Sequence, residues 1–560
     1  MATDTGGLES TEQFSRISRT TGTIFKYTLL AGTLVGIVAL GILLLYVAND
    51  AIQPLTADPG WYLVFFATFV LPTVAVGWYL NQTSGVAFST GITTIGMLLV
   101  GTIFAAGIST VFIDVVYPLM WFAYFVAFAV PIAFAIGLSR SDFEIPFLGW
   151  LGITVLTFGA SLVLVPYGIL RLLYIPTNGM SIALTFGSVA ALAGRSYVSK
   201  RWDEERTANI AAGIILLVTI LSPFVGAFTG IGAVPAPILT TMALVPVGLY
   251  VADTVAHRPE NNVGLALPVA IIGGALLGAF LVDVLSFAGP QSWLDWGFVT
   301  GNSSSTAADA GLYPAIVGSV LLMFVVSLVS FPLGVGAAVY LEEYAPDNKL
   351  TRIVTINVSN LAGVPSVVYG LLGAGVFVTY LGPGIPVLPP AIANPLGLTP
   401  IYVAGNLFGS GTIVVGGLAL SLLILPIIII SSQEAIRAVP NNMRQASYGM
   451  GATQWQTVKN VVLPRAFPGI LTGTILGLGR AVGETAPLIM IGAAAIAPVP
   501  RTFESVVAAM PMQIYVWAGE FATPEFFNRV VPAGVIVLLV AMLAMNSVAI
   551  ALRNKYQKEG

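Results

Sequence analysis

The chain has no cysteine, a single histidine and few charged residues, which make up 8% of its 560 positions. Without a thiol it can form no disulfide bond, no thiolate metal site and no cysteine nucleophile. One imidazole cannot build a histidine metal cluster, and His257 lies in a polar connector where we interpret it as solvated. The net charge of −3 gives no basic surface for a nucleic acid.

Apolar side chains are abundant instead. They make up 57% of the residues, and the mean hydropathy is +0.92. An α-helix needs about 20 apolar residues to cross the bilayer hydrocarbon, and runs of that kind recur from end to end. There are about fourteen such runs, at 23–47, 61–80, 89–113, 115–137, 146–170, 178–194, 208–228, 232–252, 264–288, 312–340, 353–380, 409–431, 467–498 and 530–552.

These runs are continuous and lack the polar–apolar alternation of a transmembrane β-strand, so we predict an all-α integral membrane protein. Arg16, Arg19 and Lys26 precede the first run, as charged residues do in a signal peptide. The run is too long for a signal peptide and no cleavage site follows it. We therefore predict that it is a retained helix.

The cationic side chains predict an orientation. If the helices alternate from a cytoplasmic N-terminus, only Arg171, Arg501 and Arg529 fall outside, Arg480 lies within a span, and the rest of the 22 lysines and arginines fall inside. This asymmetry follows the positive-inside rule. We predict a multi-pass protein of the cytoplasmic (plasma) membrane with both termini in the cytoplasm.

The longest predicted cytoplasmic segment is 432–465, and it interrupts the apolar pattern late in the chain. Pro440, Asn441 and Asn442 punctuate it, which predicts two short helices joined by a break. Its positive charge alone is equally typical of an ordinary inside loop. The chain contains no G-x-x-x-x-G-K-[ST] loop, so we predict that it is not an enzyme that hydrolyses ATP.

The sequence "GLGRAVGETAPL" at 477–488 places two opposite charges inside an apolar run. Arg480 and Glu484 are four residues apart, which puts them on one face of a helix and lets them pair. Each isolated charge costs about 2.5–3.5 kcal/mol near the middle of a membrane helix, so both should face protein or water. One interpretation is a structural salt bridge. The other is a transport path, because the arginine fork suits a tetrahedral oxyanion such as phosphate.

A second polar stretch, "SNLAGVPSVVYG", lies within another predicted span. Ser359, Asn360 and Ser366 offer hydrogen bonds there, and Gly363-Val364-Pro365 can break the helix and free backbone amides toward a ligand. A plain packing kink explains the same residues.

The loop resembles the cytoplasmic motif of ABC importer permeases, which reads Glu-Ala-Ala, three residues, Gly, nine residues, Ile-x-Leu-Pro. The matching positions are Gln445, Ala446, Ser447, Gly451 with Ala452 after it, Leu463 and Pro464. Gln445 stands where the family usually has glutamate, so its amide can form a hydrogen bond but no salt bridge. Gly451 permits a turn, and Pro464 is expected to stop one helix and start the next span.

The segment around Arg480 is similar to the Arg-Ala-x-Gly-Glu-Thr-Ala-Pro-Leu signature of PstA-type permeases of phosphate ABC importers. The sister PstC type reads Gly-Glu-Thr-Met at that point. Three further stretches, at 313–346, 359–373 and 434–458, agree with the PstA type. Together they cover about 262–555 in the order of the family.

The resemblance implies a type I ABC importer permease fold of six helices in residues 259–560. It implies a PstC-like second permease, a PstB-like ATPase dimer that uses ATP and Mg²⁺, and an external PstS-like phosphate-binding protein, with no cofactor bound by this chain. The substrate path would include Arg480, Glu484, Thr485, Ser359, Asn360 and Ser366. The motif residues of loop 432–465 would couple to the ATPase.

The resemblance leaves the first half unexplained. We predict a cytoplasmic tail at 1–22 and an accessory membrane domain of about eight helices at 23–258, of unknown function. Asp114 and Asp283 lie toward predicted outer helix ends, and Glu342 and Glu343 at an inner end, where we interpret them as interfacial. Alternative functions are an ABC permease for another oxyanion, an ion-coupled secondary transporter, or a membrane sensor driven by the N-terminal half.

Overall fold

The computed structural model describes residues 19–139, 147–172, 178–388, 395, 401–403, 405–494, 496–521 and 523–559. Most of the predicted tail, together with Arg140, lies outside these ranges. The described part is almost entirely helical, which confirms the predicted all-α class. Among the described residues, the strands β1 (Ile385–Leu388) and β2 (Ile401–Val403) pair in an antiparallel two-stranded sheet.

The helices before residue 258 follow the predicted apolar runs. They are α1 (Arg19–Ile52), α2 (Pro59–Phe65), α3 (Leu71–Thr83), α4 (Gly85–Asp114), α5 (Pro118–Ser139), α6 (Phe147–Leu172), α7 (Asn178–Trp202), α8 (Glu205–Thr229), α9 (Pro235–Leu239) and α10 (Val245–His257).

The helices after residue 258 form the second half. They are α11 (Ala266–Leu285), α12 (Trp296–Thr300), α13 (Tyr313–Val339), α14 (Lys349–Ala362), α15 (Ser366–Leu372), α16 (Ile413–Arg437), α17 (Asn441–Gly449), α18 (Gln454–Thr457), α19 (Leu463–Val482), α20 (Ala486–Met490), α21 (Met510–Gly519) and α22 (Val531–Glu559).

π-helical turns join several of these helices into longer spans. Four of them stand directly before a Leu-Pro or Val-Pro pair: Phe66–Val70, Thr240–Leu244, Val458–Val462 and Phe526–Val530. Proline lacks an amide hydrogen and its ring clashes with the preceding turn of an α-helix. The wider π turn accommodates the ring, so the span continues where a proline would otherwise end it.

Ten helical segments among the described residues are long and apolar enough to cross a membrane, or eleven if one bent pair is a single span. Each of the fourteen predicted runs falls on a helix, yet α5, α6 and α7 do not meet those criteria over their described residues. The helix class is therefore as predicted, with a smaller number of spans than fourteen by this measure.

The best-buried span is α16, which packs against α13 and α19. Two-thirds (67%) of its most apolar window is buried, whereas the corresponding window of α1 is 0% buried. The cluster around α16 includes Leu322, Ile424 and Leu488, all nearly inaccessible. The middle of the C-terminal half is thus a rigid packed core.

Packing crosses the proposed domain boundary near residue 258. Helix α1 lies against α22, and α11 lies against α3 and α4. At the end of α4, the Asp114 carboxylate accepts a hydrogen bond from the Tyr313 hydroxyl at the start of α13. The division at 258 stays a prediction, and the two halves share an interface.

Candidate functional site

Arg480 and Glu484 form the expected ion pair, with Arg480 Nε 3.2 Å from Glu484 Oε1. The helix geometry differs from the expectation. Helix α19 ends at Val482, with Gly483 as its C-terminal cap, so Arg480 stands in the last turn while Glu484 lies beyond the helix end. The ion pair therefore connects the last turn of α19 to the segment after it, and does not lie along one face of a continuous helix.

The two ions of this pair are exposed to different degrees. The Arg480 side chain is 45% exposed and the Glu484 side chain 18%. Among the described residues, the terminal nitrogens of the Arg480 guanidinium have no hydrogen bond, because Nε alone contacts Glu484. Behind Glu484 is a small cavity bordered by Ser319, Leu420 and Leu488. The carboxylate is therefore anchored inside the protein, while the guanidinium points outward with free donors.

A second break lies where the sequence predicted one. Helices α14 and α15 meet at Gly363-Val364-Pro365 with a bend of 109°. The amides at this break are not free, however. Gly363 N donates to the Asn360 carbonyl at 3.0 Å, and Val364 N donates to the Leu361 carbonyl at 3.1 Å. These two amides are thus unavailable to a ligand, contrary to the sequence-based expectation.

The structure brings the two breaks together. A Cβ added to Gly370 of α15 would lie 2.7 Å from Pro487 Cα in α20, so glycine permits backbone contact here. Next to it, the Tyr369 hydroxyl donates to the Leu361 carbonyl at 2.6 Å and ties α15 back to α14. The breaks therefore form one site built from two spans.

The other predicted path residues line the two breaks without touching Arg480 in any hydrogen bond of the described part. The Ser359 hydroxyl donates to the Thr355 carbonyl of its own helix at 3.1 Å. Asn360 is exposed and Ser366 half-buried. The Thr485 carbonyl accepts from Leu488 N at 3.1 Å and so starts α20.

The loop at 432–465 forms a compact elbow, defined here as α17, α18 and the turn between them. Gly451 makes that turn in a left-handed conformation with φ +83°, as its predicted role requires. Thr453 and Gln456 form a capping box at the start of α18. Behind the turn, the hydroxyls of Ser447 and Thr457 lie 2.8 Å apart and join α17 to the next helix.

Pro464 does not stop a helix, so that prediction was wrong. Residues Gln454–Val482 form one continuous span. The π turn Val458–Val462 directly precedes Leu463 and Pro464 and makes room for the proline ring. The elbow and the helix break at Arg480 therefore lie at opposite ends of one helical span.

Glu342 and Glu343, which the sequence placed at an inner helix end as interfacial residues, form ion pairs that the sequence did not predict. Glu342 forms two contacts with Arg437 and accepts from Gln433 Nε2 at 2.8 Å. Glu343 pairs with Arg444 of α17 at 2.9 Å. Both carboxylates lie in the π turn Tyr340–Tyr344 after α13. Glu342 therefore joins this turn to α16, whereas Glu343 attaches α17 of the elbow to it.

The outer surface of the elbow exposes large apolar side chains. Tyr448, Met450 and Trp455 are all exposed, Met450 to 84%. Gln445 and Ala446 lie on the same short helix and are also exposed, whereas Ser447 faces inward. Exposed apolar groups at the tip of a polar elbow are typical of a protein-binding surface.

His257 is not simply solvated, which corrects its interpretation. Its Nδ1 lies 3.7 Å from the buried carboxylate of Asp253, and its ring packs on Trp202. Arg258 pairs with the same carboxylate at 2.8 Å. This cluster fastens the end of α7 to the end of α10.

Comparison with known proteins identifies a family. Residues 330–558, which contain both breaks and the elbow, match the model described as "Binding-protein-dependent transport system inner membrane component". The chain is 35% identical over 40% of its length to the probable ABC transporter permease protein YqgI of Bacillus subtilis, covering 66% of that protein.

Two mycobacterial proteins are similarly related. The chain is 31% identical over 43% of its length to the phosphate transport system permease protein PstA 1 of Mycobacterium tuberculosis, covering 70% of it. It is 34% identical over 40% of its length to the phosphate transport system permease protein PstC 2 of Mycobacterium bovis, covering 68% of it. The chain thus spans about two-thirds of the length of these relatives.

Proposed function

Since the chain belongs to the binding-protein-dependent family of ABC transporter permeases, we propose that it is the transmembrane permease subunit of an ATP-driven importer of inorganic phosphate. It forms half of the translocation path, and a PstC-like permease forms the other half. A PstB-like ATPase dimer consumes ATP with Mg²⁺, and an external PstS-like protein delivers phosphate. Both termini are placed in the cytoplasm, and this chain binds no cofactor of its own.

The observation that carries the proposal is the ion pair at the junction of two broken spans. An arginine kept in a membrane span is costly unless it faces water or protein. A buried ion pair is also a poor stabiliser compared with apolar packing. The hydrogen-bond donors of Arg480 lie on an exposed surface of this chain. Such a surface is consistent with a translocation path whose other wall is supplied by a second subunit.

The chemistry follows from the two charges. Phosphate is an anion with several acceptor oxygens, and a guanidinium offers it parallel donors. Glu484 holds and neutralises Arg480 while the path is empty, because Nε of Arg480 contacts its carboxylate. An arriving phosphate takes over donors of Arg480, and repulsion from Glu484 favours its onward movement.

The elbow supplies the coupling in this proposal. The ATPase dimer binds the exposed face of the elbow that carries Tyr448, Met450 and Trp455. Movement passes to the core through the contact between Glu343 and Arg444 and along the span Gln454–Val482. The similarity to both PstA 1 and PstC 2 supports a path made by two related permeases.

The test is ATP-dependent phosphate uptake into vesicles that hold the complete purified complex. Arg480→Gln is expected to abolish uptake with the complex assembled, and Arg480→Lys to restore only part of it, since lysine is a point charge without the fork. Arg501→Gln, an exposed arginine elsewhere, is the matched control and should transport normally. Normal uptake by Arg480→Gln would refute the proposed path.

The same vesicles separate phosphate from the alternatives. Stimulation of ATP hydrolysis by sulfate and not by phosphate would assign another oxyanion. Uptake by this chain alone, without ATP, would assign an ion-coupled transporter.

A further inference from the structure

A slot lies between α2 and α11, both of which belong to candidate membrane spans. Its volume is about 820 Å³, within the range of about 300–1,000 Å³ that small-molecule sites occupy. None of its lining residues belongs to the helix breaks or the elbow. We propose that this slot binds the acyl chain of a membrane lipid whose headgroup carries a primary ammonium group.

One wall of the slot is a ladder of aromatic rings. Trp61 stacks on Phe65 with ring centroids 5.2 Å apart, and Phe65 stacks on Phe69 with centroids 5.4 Å apart. The three rings follow one face of α2 and the π turn after it. They form a continuous apolar wall along the helix.

The opposite wall is a strip of small residues on α11, namely Gly274, Ala275, Gly278 and Ala279. At the floor of the slot, a Cβ added to Gly278 would lie 2.6 Å from Thr68 Oγ1, so the two walls converge there. The Thr68 hydroxyl already donates to the Val64 carbonyl at 2.9 Å. The floor therefore offers apolar contact and no free hydroxyl donor.

The shape of the slot favours a chain over a helix. An α-helix with its side chains is about 10–12 Å across, whereas the walls meet at Gly278 and Thr68. A polymethylene chain needs far less width, and Ala275 and Ala279 leave room for it on the exposed side. The chain would complete the apolar packing between the two spans.

The charge at the mouth of the slot is the reason for the proposed preference for an ammonium headgroup. Asp283 is exposed there, near the end of α11, and is the one formal charge among the lining residues. Among the described residues, its carboxylate has no hydrogen bond or ion pair with another residue. A lone carboxylate attracts an ammonium group and repels a headgroup with net negative charge. Trp61 lines the same slot, and tryptophan favours the membrane–water interface.

The experiment is native mass spectrometry of the full purified chain with two lipids of identical acyl chains, phosphatidylethanolamine and phosphatidylglycerol. The wild type should retain phosphatidylethanolamine in preference. Ala279→Phe, which fills the slot, should reduce its retention about tenfold. Leu276→Phe is the matched control, since Leu276 is exposed on α11 outside the slot, and it should bind as the wild type does.

A second variant distinguishes binding of the acyl chain from recognition of the headgroup. Asp283→Asn should remove the preference for phosphatidylethanolamine while both lipids still bind. A photoreactive phosphatidylethanolamine should cross-link to peptides that contain Phe65 or Ala279. Unchanged retention by Ala279→Phe in a folded chain would overturn the proposal, as would cross-links confined to other faces. These results do not depend on phosphate uptake.

Discussion

Arg437 and Glu342 join the end of α16 to the end of α13 through two parallel hydrogen bonds of 2.7 and 2.6 Å. The neighbouring pair, Arg444 with Glu343, is more deeply buried, with side chains 15% and 6% exposed. Because the Arg437 side chain is largely exposed, the first pair contributes only modestly to stability. Removing one partner of the second pair costs more stability, since the remaining charge is left buried and unpaired.

Glu343→Gln is therefore expected to loosen the elbow more than Glu342→Gln does. Removing one partner of a buried pair costs about 3 kcal/mol, against about 1 kcal/mol for an exposed pair. Hydrogen exchange of residues 441–449 measures this difference. Glu260→Gln, an exposed carboxylate in another connector, is the control. Equal protection of α17 in all three variants would contradict the anchoring role.

Glu484→Gln should reduce the initial rate of phosphate uptake less than Arg480→Gln does. The amide keeps a hydrogen bond to Arg480 but no longer neutralises it, whereas loss of Arg480 removes the donors themselves. In a double variant of Glu484→Gln with Arg480→Lys, which keeps part of the uptake, the loss should be smaller than the two single losses combined, because the two residues act as one unit. Additive losses would show that they act separately.

Gly370→Leu should separate the two helix breaks. Any side chain at this position meets Pro487 and Met490 within 2.8 Å, and overpacking of this kind costs about 1–3 kcal/mol. We expect uptake to fall sharply while the complex still assembles. Gly375→Leu is the matched control, because nothing lies within 4 Å of a Cβ there. The outcome that contradicts the idea is equal uptake by both variants.

Gly451→Ala should impair the elbow through backbone strain alone, since a Cβ at Gly451 has nothing within 4 Å. A residue with a side chain pays about 1–2 kcal/mol in the left-handed region. Phosphate-stimulated ATP hydrolysis by the complex should fall, and transport with it. Gly449→Ala, two residues earlier with no obstruction and an ordinary φ, should hydrolyse ATP normally. If both alanine variants behave alike, the turn geometry has no special role.

Local chemistry in the sequence predicted the spans, the break at Gly363-Val364-Pro365, the Arg480–Glu484 pair and the turn at Gly451. Each of these depends on residues within a few positions of one another. The partners of Glu342 and Glu343 lie about a hundred positions away, and no periodic pattern links them. Only the packing of α13 against α16 brings them together.

The errors at Pro464 and His257 have different origins. A π turn has no clear signal in the sequence, so a proline after one is easily taken for a helix end. His257 stands four residues after Asp253, but its contact with Trp202 depends on how α7 and α10 meet. Long-range packing decides the case of His257, whereas the case of Pro464 depends on the π turn before it.

The unbroken span from Gln454 to Val482 gives the molecule a mechanical property. At 1.5 Å per residue, its 29 residues make a lever about 43 Å long. Pivoting such a lever by about 5° about one end displaces the other end by nearly 4 Å, roughly the width of a carbon chain. A small tilt imposed at the elbow is therefore enough to move Arg480 by about the width of a substrate atom, because the helix is not interrupted between the two.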